Sequence, residues 1–413
     1  MIWRTPGLRV HRYACVTNGP LMTRLLIIGG DTDYNVGDAA ILESLCGALV
    51  AAEPEVRITI TSTRSAHSAS RPPGVIAVLP KGIGHWATQL HSARAQDLII
   101  VGGGGLFQDD DSRMKMPYWA GRLAGLRLAN PRIAGHSLGA GPLRHLESRG
   151  FARLACAALR SISVRDQFAF DALAPCTARP VRLVPDPAFM LEPASNAAAG
   201  AYLDSLGVRR DRPLIGVVLR RWFHKLGGFV PHRARAALGL DLAHGAAQMQ
   251  LLTRNLAAAL SRLAARLQAS IVLLPSYHAT HEGDIDACSA LARALSGASV
   301  HLADIREPRL YKAVTGELQL LLSARMHPLI MAAGMGVPVM GMAYNRKFSG
   351  CMELLGIPDQ LLWLSDLADE SGADRLESLA LKSMNGPGDL GQRAAGLARR
   401  SREAVGELLN LAG

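Results

Sequence analysis

The chain has 413 residues, more than one hydrophobic core usually serves, so we expect two domains of ordinary size. Its 45 Lys and Arg residues against 34 Asp and Glu residues give a net charge of +11, but aromatic residues are only 5% and no basic stretch alternates with them, which argues against nucleic-acid binding. No apolar run approaches the roughly 20 residues that a membrane-spanning helix needs, and the hydrophobic content of 49% argues against disorder on a large scale.

The first 22 residues contain three arginines but no apolar segment of the kind found in secretory signals. We interpret residues 1–22 as an N-terminal extension, and either Met1 or Met22 is the natural start. The six cysteines are scattered without a C-x-x-C pair or a histidine at metal-ligand spacing, which indicates buried thiols in a reducing compartment. A cytoplasmic protein without a bound metal or other cofactor is the expectation.

A first α/β series, predicted to form a domain over residues 23–195, begins with a short apolar strand at Leu25–Ile28. A loop with two glycines follows, and a helix then runs to Ala52. Asp38 is suited to be the N-cap or a first-turn acid of this helix. The G-x-G-x-x-G spacing of dinucleotide-binding proteins is absent. We interpret Asn35, Gly37 and Asp38 as residues that line a cleft with backbone N–H groups and polar side chains.

The next informative stretch is a predicted strand at Leu98–Val101 that leads into four consecutive glycines. Glycines after a buried strand indicate either a close approach of two backbones or a ligand that lies against the main chain. We therefore include Gly103 and Gly104 among the cleft residues. The acidic cluster Asp109–Asp111 follows. We predict a solvated loop there rather than a metal site, because no histidine or second acidic motif completes a set of ligands.

A predicted strand at Ile133–His136 is followed by the small-residue loop Ser137–Pro142. Further on, Arg165 lies between a short strand and a helix, where its guanidinium can bind phosphate or carboxylate in the cleft. The alternative for Arg165 is a salt bridge to Asp166 or Asp186.

A second α/β series, predicted over residues 205–385, begins with a strand at Leu214–Leu219 that places Arg220 at its carboxyl end. The segment Phe223–Asp241 predicts either a mobile acceptor loop or a basic surface flap. His278 and His281 are three residues apart but lack a third metal ligand, so we expect them to contact sugar hydroxyls or to have no role in binding.

The C-terminal segment, residues 388–413, predicts an amphipathic helix with arginines on one side and apolar residues on the other. It could pack back across the first domain, or it could contact a partner or a membrane surface.

The stretch Leu318–Phe348 carries most of the functional signal. Two apolar runs with a short helix between them predict two parallel neighbouring strands, whose carboxyl ends open on the same edge of the sheet. Arg325 and His327 leave the first strand and Lys347 leaves the second. Two fixed cations and a titratable imidazole therefore converge beside a helix N-terminus that favours anions. This combination is typical of a site for a small, highly charged anion on which a proton is transferred.

Six short motifs, in order, resemble those of the polysaccharide pyruvyl transferase family. They are NVGDAAIL (Asn35–Leu42), VGGGGLF (Val101–Phe107), SVRD (Ser163–Asp166), PDPAF (Pro185–Phe189), ARMHPLIMAAGMGVP (Ala324–Pro338) and AYNRK (Ala343–Lys347). The resemblance implies an α/β fold with two doubly wound, Rossmann-like domains that face a cleft, as in the GT-B glycosyltransferases.

The resemblance also implies the reaction and its residues. Pyruvate would pass from phosphoenolpyruvate, a co-substrate and not a cofactor, to two hydroxyls of a sugar as a ketal. Arg165, Arg325 and His327 would bind phosphoenolpyruvate, with Lys347 close to it, and we expect His327 to act as the general acid or as the base on the sugar hydroxyl. The acceptor would be a glycan, soluble or lipid-linked, and the positive charge of the protein would suit peripheral contact with the inner face of the cell membrane.

Two other functions stay open at this point. A GT-B glycosyltransferase with a nucleotide-sugar donor would share the fold, and Glu307 or Glu353 could bind its ribose. A non-catalytic domain that binds anionic glycans, or scaffolds an envelope assembly complex, would explain the charge and the last helix.

Overall fold

The computed structural model describes residues 22–63, 71–110, 112–222, 228–229, 238, 245–386 and 388–413. Within these residues the chain forms two parallel β-sheets, each covered by helices, and the carboxyl ends of both sheets face a common cleft. The predicted fold of two doubly wound α/β units is therefore confirmed. Residues 1–21 of the N-terminal extension and most of the predicted loop Phe223–Asp241 lie outside the described residues.

The first sheet has eight strands in the order β3-β2-β1-β4-β6-β7-β8, with β5 paired to β6. Its strands are β1 (Arg24–Ile28), β2 (Arg57–Ser62), β3 (Val75–Pro80), β4 (Leu98–Gly102), β5 (Gly105–Phe107), β6 (Ile133–Ala140), β7 (Ser161–Val164) and β8 (Val181–Leu183). The central strands β1 and β4 are apolar along almost their whole length and buried, as expected for a parallel sheet with both faces covered by helices.

The second sheet has six parallel strands in the order β11-β10-β9-β12-β13-β14. Its strands are β9 (Leu214–Val218), β10 (Ser270–Leu273), β11 (Val300–Leu302), β12 (Leu320–Ser323), β13 (Val339–Ala343) and β14 (Leu361–Trp363). The strand order reverses between β9 and β12, and in such sheets the crevice for a ligand lies at this reversal. Arg220 follows β9 and Arg325 follows β12, so both arginines leave the sheet at that crevice.

The helices alternate with the strands. They are Val36–Ala52, Trp86–Ala93, Lys115–Ala129, Leu146–Ala158, Gln167–Leu173, Asn196–Ser205, Ala246–Leu267, Asp284–Ala294, Pro308–Thr315, Met326–Gly334, Lys347–Leu354, Leu364–Leu367, Gly372–Met384 and Leu390–Leu409. None of the helices within the described ranges has the length and hydropathy to cross a membrane.

The unit predicted at Leu318–Phe348 forms as expected. Strands β12 and β13 pair in parallel, with Leu321 opposite Val339, and the helix Met326–Gly334 connects them. Strand β6 corrects one prediction, because it continues through Ser137 to Ala140 where the sequence suggested a loop. Ser137 has a φ of 47°, and the pairing of β6 with β7 is irregular at this place. The strand therefore resumes after a local bulge, which small residues accommodate.

The last helix, Leu390–Leu409, packs across both halves of the molecule. Leu390, Ala394 and Leu397 belong to a core cluster that includes residues of the second sheet. Val405 and Leu408 belong to the core beneath β1 and β2. The apolar face of this helix therefore packs back on the first unit, which is one of the alternatives predicted for the segment.

Hydrogen bonds join the two sheets at the cleft. The helix Val36–Ala52 begins beside the loop after β10, where the Val36 N–H donates to Ser276 O at 3.0 Å and the His278 N–H donates to Tyr34 O at 2.8 Å. The Tyr277 hydroxyl donates to Asp31 Oδ2 at 2.7 Å. These bonds set the separation of the two carboxyl-end edges, so both edges contribute to one cavity.

Candidate functional site

A cavity of about 320 Å³ lies between the carboxyl ends of the two sheets. Among its described lining residues are seven Lys or Arg side chains and four carboxylates, together with His327 and several aromatic rings. The cations are Lys81, Lys115, Arg122, Arg165, Arg220, Arg325 and Lys347, and the acids are Asp31, Asp38, Asp110 and Glu282. The excess of cations suits a ligand of high negative charge.

Arg165, Asp186 and His327 form a buried network at the junction of the two units. Arg165 Nη1 donates to Asp186 Oδ2 at 3.1 Å, and Arg165 Nε donates to Asp166 Oδ2 at 3.3 Å. His327 Nε2 lies 3.5 Å from Asp186 Oδ2. Burial alone would raise the pKa of Asp186, but His327 and Arg165 lower it to about 2. Asp186 is therefore an anion that orients both the guanidinium and the imidazole.

The salt-bridge alternative for Arg165 is thus realised, and the same residue still lines the cavity. Among the described residues Arg165 Nη2 makes no hydrogen bond, so it is available to a ligand. Asp186 also caps the turn at Pro187–Met190 through the Ala188 N–H.

Arg325 is bound by the start of the helix Asp284–Ala294. Its Nε donates to Asp284 Oδ2 at 3.0 Å and its Nη2 donates to Glu282 Oε2 at 3.1 Å. Glu282 also accepts from Arg220 Nη2 at 3.0 Å. The two arginines therefore share one carboxylate, and Arg220 Nε is buried without a hydrogen bond within the described structure. Both guanidiniums line the cavity, where they are fixed before a ligand arrives.

Lys347 lies on the same side of the cavity, 4.6 Å from the centre of the Tyr344 ring. Burial lowers the pKa of Lys347, while Tyr344 and Asp110 act in the opposite direction. Arg165, Arg325, His327 and Lys347, the four residues predicted for donor binding and proton transfer, therefore line one cavity. Their assigned roles remain predictions.

The N-terminal edge of the cavity combines glycines and carboxylates with the cations of the first unit. Asp38 Oδ2 accepts from the Asp31 N–H at 2.8 Å, whereas Asp38 Oδ1 and Asp31 Oδ1 are buried without a hydrogen bond to the described residues. Gly104, with a φ of 72°, leaves no room for a side chain, because a Cβ there would lie 2.7 Å from Asp38 Oδ1. The glycine run thus allows close approach of the backbone to a buried carboxylate.

Several details of the predicted N-terminal site need correction. Asp38 is the first-turn acid of the first helix, one of its two predicted roles, while Asn35 is the N-cap, and the Asn35 Oδ1 accepts from the Gly37 N–H at 3.0 Å. The Val36, Gly37 and Ala39 N–H groups of this helix are bonded within the protein and are not offered to a ligand. Gly37 packs against His327, where a Cβ would lie 2.0 Å from Nδ1. Gly103 packs on Ile41 and is not among the lining residues.

The acidic cluster also differs from its prediction. Asp109 is buried and is not part of a solvated loop, because its Oδ2 accepts from the N–H groups of Arg144 and His145. Asp110 lines the cavity and accepts from Asn345 Nδ2 at 3.3 Å. Asp111 lies outside the described residues. No group of three metal-ligating side chains occurs in the portion of the chain that is described.

Other candidates from the sequence take structural roles. His278 is buried, with Nδ1 at 2.9 Å from Asp304 Oδ1 and Nε2 at 3.1 Å from Ile305 O. Glu307 caps the helix Pro308–Thr315 by accepting from the Arg309 and Leu310 N–H groups. Glu353 is exposed on the helix Lys347–Leu354. None of the three is among the residues that line the cavity.

The sequence interpretation missed three lining residues with distinctive environments: Lys81, Arg122 and Tyr344. Arg122 is buried on the helix Lys115–Ala129, where it donates to Gln89 Oε1 at 2.7 Å. An arginine within a helix gives no local signal that it is buried. Tyr344 could have been noticed, because it lies in the AYNRK motif directly after a predicted strand.

The two sheets and the cleft between their carboxyl ends define a GT-B fold. A protein from Listeria monocytogenes, assigned as a UDP-N-acetylglucosamine 2-epimerase, is similar in structure, with a TM-score of 0.56, 13% identity and 94% of each chain covered. The UDP-GlcNAc 2-epimerase of Methanocaldococcus jannaschii gives a TM-score of 0.54 at 11% identity, with 92% of this chain and 99% of that chain covered. The UDP-GlcNAc 2-epimerase of Neisseria meningitidis, solved with UDP-GlcNAc, gives a TM-score of 0.53 at 11% identity, with 94% of this chain and 100% of that chain covered. At such identities the likeness shows the fold alone.

The family model for polysaccharide pyruvyl transferase matches residues 35–346. The chain therefore belongs to the polysaccharide pyruvyl transferase family, as its six motifs predicted. No curated protein sequence gives a significant match. Membership of the family indicates a pyruvyl transferase that acts on a polysaccharide.

Proposed function

We propose that the chain transfers pyruvate from phosphoenolpyruvate to two hydroxyls of one sugar, in a polysaccharide or a lipid-linked glycan precursor. The products are a pyruvate ketal and inorganic phosphate. The family match over residues 35–346 carries this proposal. The cavity supports it, because phosphoenolpyruvate places a phosphate and a carboxylate on one small skeleton and needs several cations to be held away from water.

In this proposal Arg165, Arg325 and Lys347 bind the donor and stabilise the departing phosphate. Each arginine already donates to carboxylates of the protein, so its position is set before the donor binds. Preorganised cations of this kind stabilise charge that develops in the transition state without further rearrangement. Arg220, fixed by Glu282 in the same cavity, is placed to assist them.

His327 acts as the general acid or as the base on the sugar hydroxyl. Its imidazole Nε2 lies 3.5 Å from the Asp186 carboxylate, which places a fixed anion beside the ring. The orientation depends on both halves of the molecule, since Asp186 belongs to the first unit and His327 to the second.

The test is a comparison of donors with the purified protein. Phosphoenolpyruvate or nucleotide sugars are supplied with a panel of hexosides, both soluble and lipid-linked, and phosphate release is followed together with NMR of the product. We expect phosphate and a quaternary ketal carbon with phosphoenolpyruvate alone. Sugar transfer from a nucleotide donor without ketal formation would instead establish the glycosyltransferase alternative, and the panel identifies whether the acceptor is lipid-linked.

A further inference from the structure

Tyr344 is the first residue after β13, and it lines the cavity among the cations of the C-terminal edge. Its ring lies 4.2 Å from the Trp222 ring, centre to centre, and packs edge-on against Phe348 at 5.2 Å. Aromatic packing on two sides restricts the ring. The packing of the ring against Trp222 and Phe348 therefore sets the position of the phenol hydroxyl.

Positive charges surround this ring. The guanidinium carbon of Arg220 lies 4.3 Å from the ring centre, and Lys347 Nζ lies 4.6 Å from it. The positive charge of Arg325 also acts to lower the pKa of the phenol. The neighbouring acids are Asp110, near Lys347, and Glu282, which pairs with both arginines. Burial alone would raise the pKa of Tyr344, but these three cations lower it to about 8.

Addition of a hydroxyl to phosphoenolpyruvate, when it is concerted with protonation of the methylene carbon, needs two proton-transfer groups. The methylene carbon must gain a proton as the first sugar hydroxyl attacks the adjacent carbon, and that hydroxyl must lose its proton. A single imidazole cannot give and accept a proton in one step. His327, oriented by the Asp186 carboxylate, is suited to accept the hydroxyl proton, so a second group is required as the acid.

We propose that Tyr344 is the acid that protonates the methylene carbon of phosphoenolpyruvate, with Lys347 stabilising the phenolate that results. The inference rests on the proposed function and deepens it by assigning the second catalytic residue. A phenol that gives up its proton more readily than usual, next to fixed cations, meets the requirement for such an acid.

The proton balance closes over one turnover. The Tyr344 proton goes to the methylene carbon, which becomes the methyl group, while the first hydroxyl forms a C–O bond to the adjacent carbon and loses its proton to His327. The C–O bond to phosphate then breaks, and the second hydroxyl attacks the same carbon and returns a proton to the Tyr344 phenolate. His327 gives its proton to the phosphate, which leaves both residues in their starting states.

The main test is Tyr344→Phe, which keeps the aromatic packing and removes only the hydroxyl. We expect kcat to fall by about 10² to 10⁴, the usual contribution of general acid–base catalysis, while the KM for phosphoenolpyruvate changes much less. Tyr202→Phe is the matched control, because Tyr202 lies on the helix Asn196–Ser205, packs against the core and is not among the cavity residues. It should retain the activity of the wild type.

The pH profile supplies a second readout. Because the acid must carry its proton, kcat of the wild type should fall as the pH rises above about 8. Ultraviolet difference spectra should show a tyrosine that ionises in the same range in the wild type and not in Tyr344→Phe. Lys347→Met should move this ionisation to higher pH, since it removes one of the three cations.

The outcomes of these experiments distinguish the role of Tyr344 from the proposed function. If the wild type forms the ketal and Tyr344→Phe does so at the same kcat, the assignment of Tyr344 is wrong and the proposed function stands. A wild type that lacks a tyrosine ionising near pH 8 would also contradict the assignment. If the wild type forms no ketal from phosphoenolpyruvate with any acceptor, the proposed function fails and the role of Tyr344 fails with it.

Discussion

The two edges of the cleft differ in chemistry although both are carboxyl ends of parallel sheets. The C-terminal edge presents Arg220, Arg325 and Lys347 around a phenol, with Glu282 as its one lining carboxylate, whereas the N-terminal edge combines glycines and three acids with four cations, among them Arg165. The proposed donor would be held by cations of both edges. We expect the hydroxyls of the acceptor on the N-terminal side, because carboxylates accept hydrogen bonds from hydroxyls and three of the four lining carboxylates belong to that side. The comparison indicates that equivalent places in two similar folds can carry different balances of charge.

His327 connects the two edges, and its removal has the largest expected effect on activity. In His327→Ala we expect turnover at saturating donor to fall by about 10² to 10⁴, because a proton-transfer group is lost. Donor affinity should fall less, since Arg165, Arg325 and Lys347 remain. Steady-state kinetics together with calorimetric binding of phosphoenolpyruvate separates the two effects. Wild-type turnover in this variant would exclude the proton-transfer role.

Arg325 tests the contribution of the C-terminal cations to donor binding. In Arg325→Ala we expect the affinity for phosphoenolpyruvate to fall more than kcat does. The change also leaves the buried Asp284 and Glu282 without one of their cations, which costs about 3–5 kcal/mol of folding stability. Thermal denaturation of the variant must therefore accompany the binding measurement, and Arg325→Lys provides a version that keeps the charge.

The counterpart on the opposite edge is Asp38→Asn, which keeps the size of the side chain. An unchanged affinity for phosphoenolpyruvate in this variant, beside a weakened affinity in Arg325→Lys, would support the division of the two edges. Equal losses of donor affinity in both variants would show that the donor also depends on the carboxylates of the N-terminal edge, and the comparison would then not hold.

A smaller effect is expected from Gly37→Ala, which adds a methyl group 2.0 Å from His327 Nδ1. The imidazole or the helix must move, at a cost of about 1–3 kcal/mol in stability, with a loss of turnover smaller than in His327→Ala. Gly47→Ala on the same helix is the matched control, because a Cβ there has no neighbour within 4 Å. We expect it to raise stability by about 0.5–1 kcal/mol. Urea denaturation and kinetics of both variants check this prediction, and equal behaviour of the two would contradict it.

The sequence predicted the elements of the donor edge because the relevant signals are local. Two apolar runs, with a short helix between them, were enough to place Arg325, His327 and Lys347 at one edge of a parallel sheet. The same approach failed for Asp109, whose acidic neighbours suggested a solvated loop. The Asp109 carboxylate is buried because the N–H groups of Arg144 and His145 donate to it, and these residues come from a later part of the chain.

The sequence by itself determined the order of strands and helices along the chain, the two-unit fold and the motifs that identify the family. These features follow from hydrophobic periodicity and turn chemistry, which act over a few residues. Only the tertiary structure decided which carboxylate faces each cation, and it alone placed Asp186 beside His327 and three cations around Tyr344. The physical reason is that the charge and protonation of a buried group depend on every neighbour within a few ångströms, and those neighbours come from segments that folding brings together.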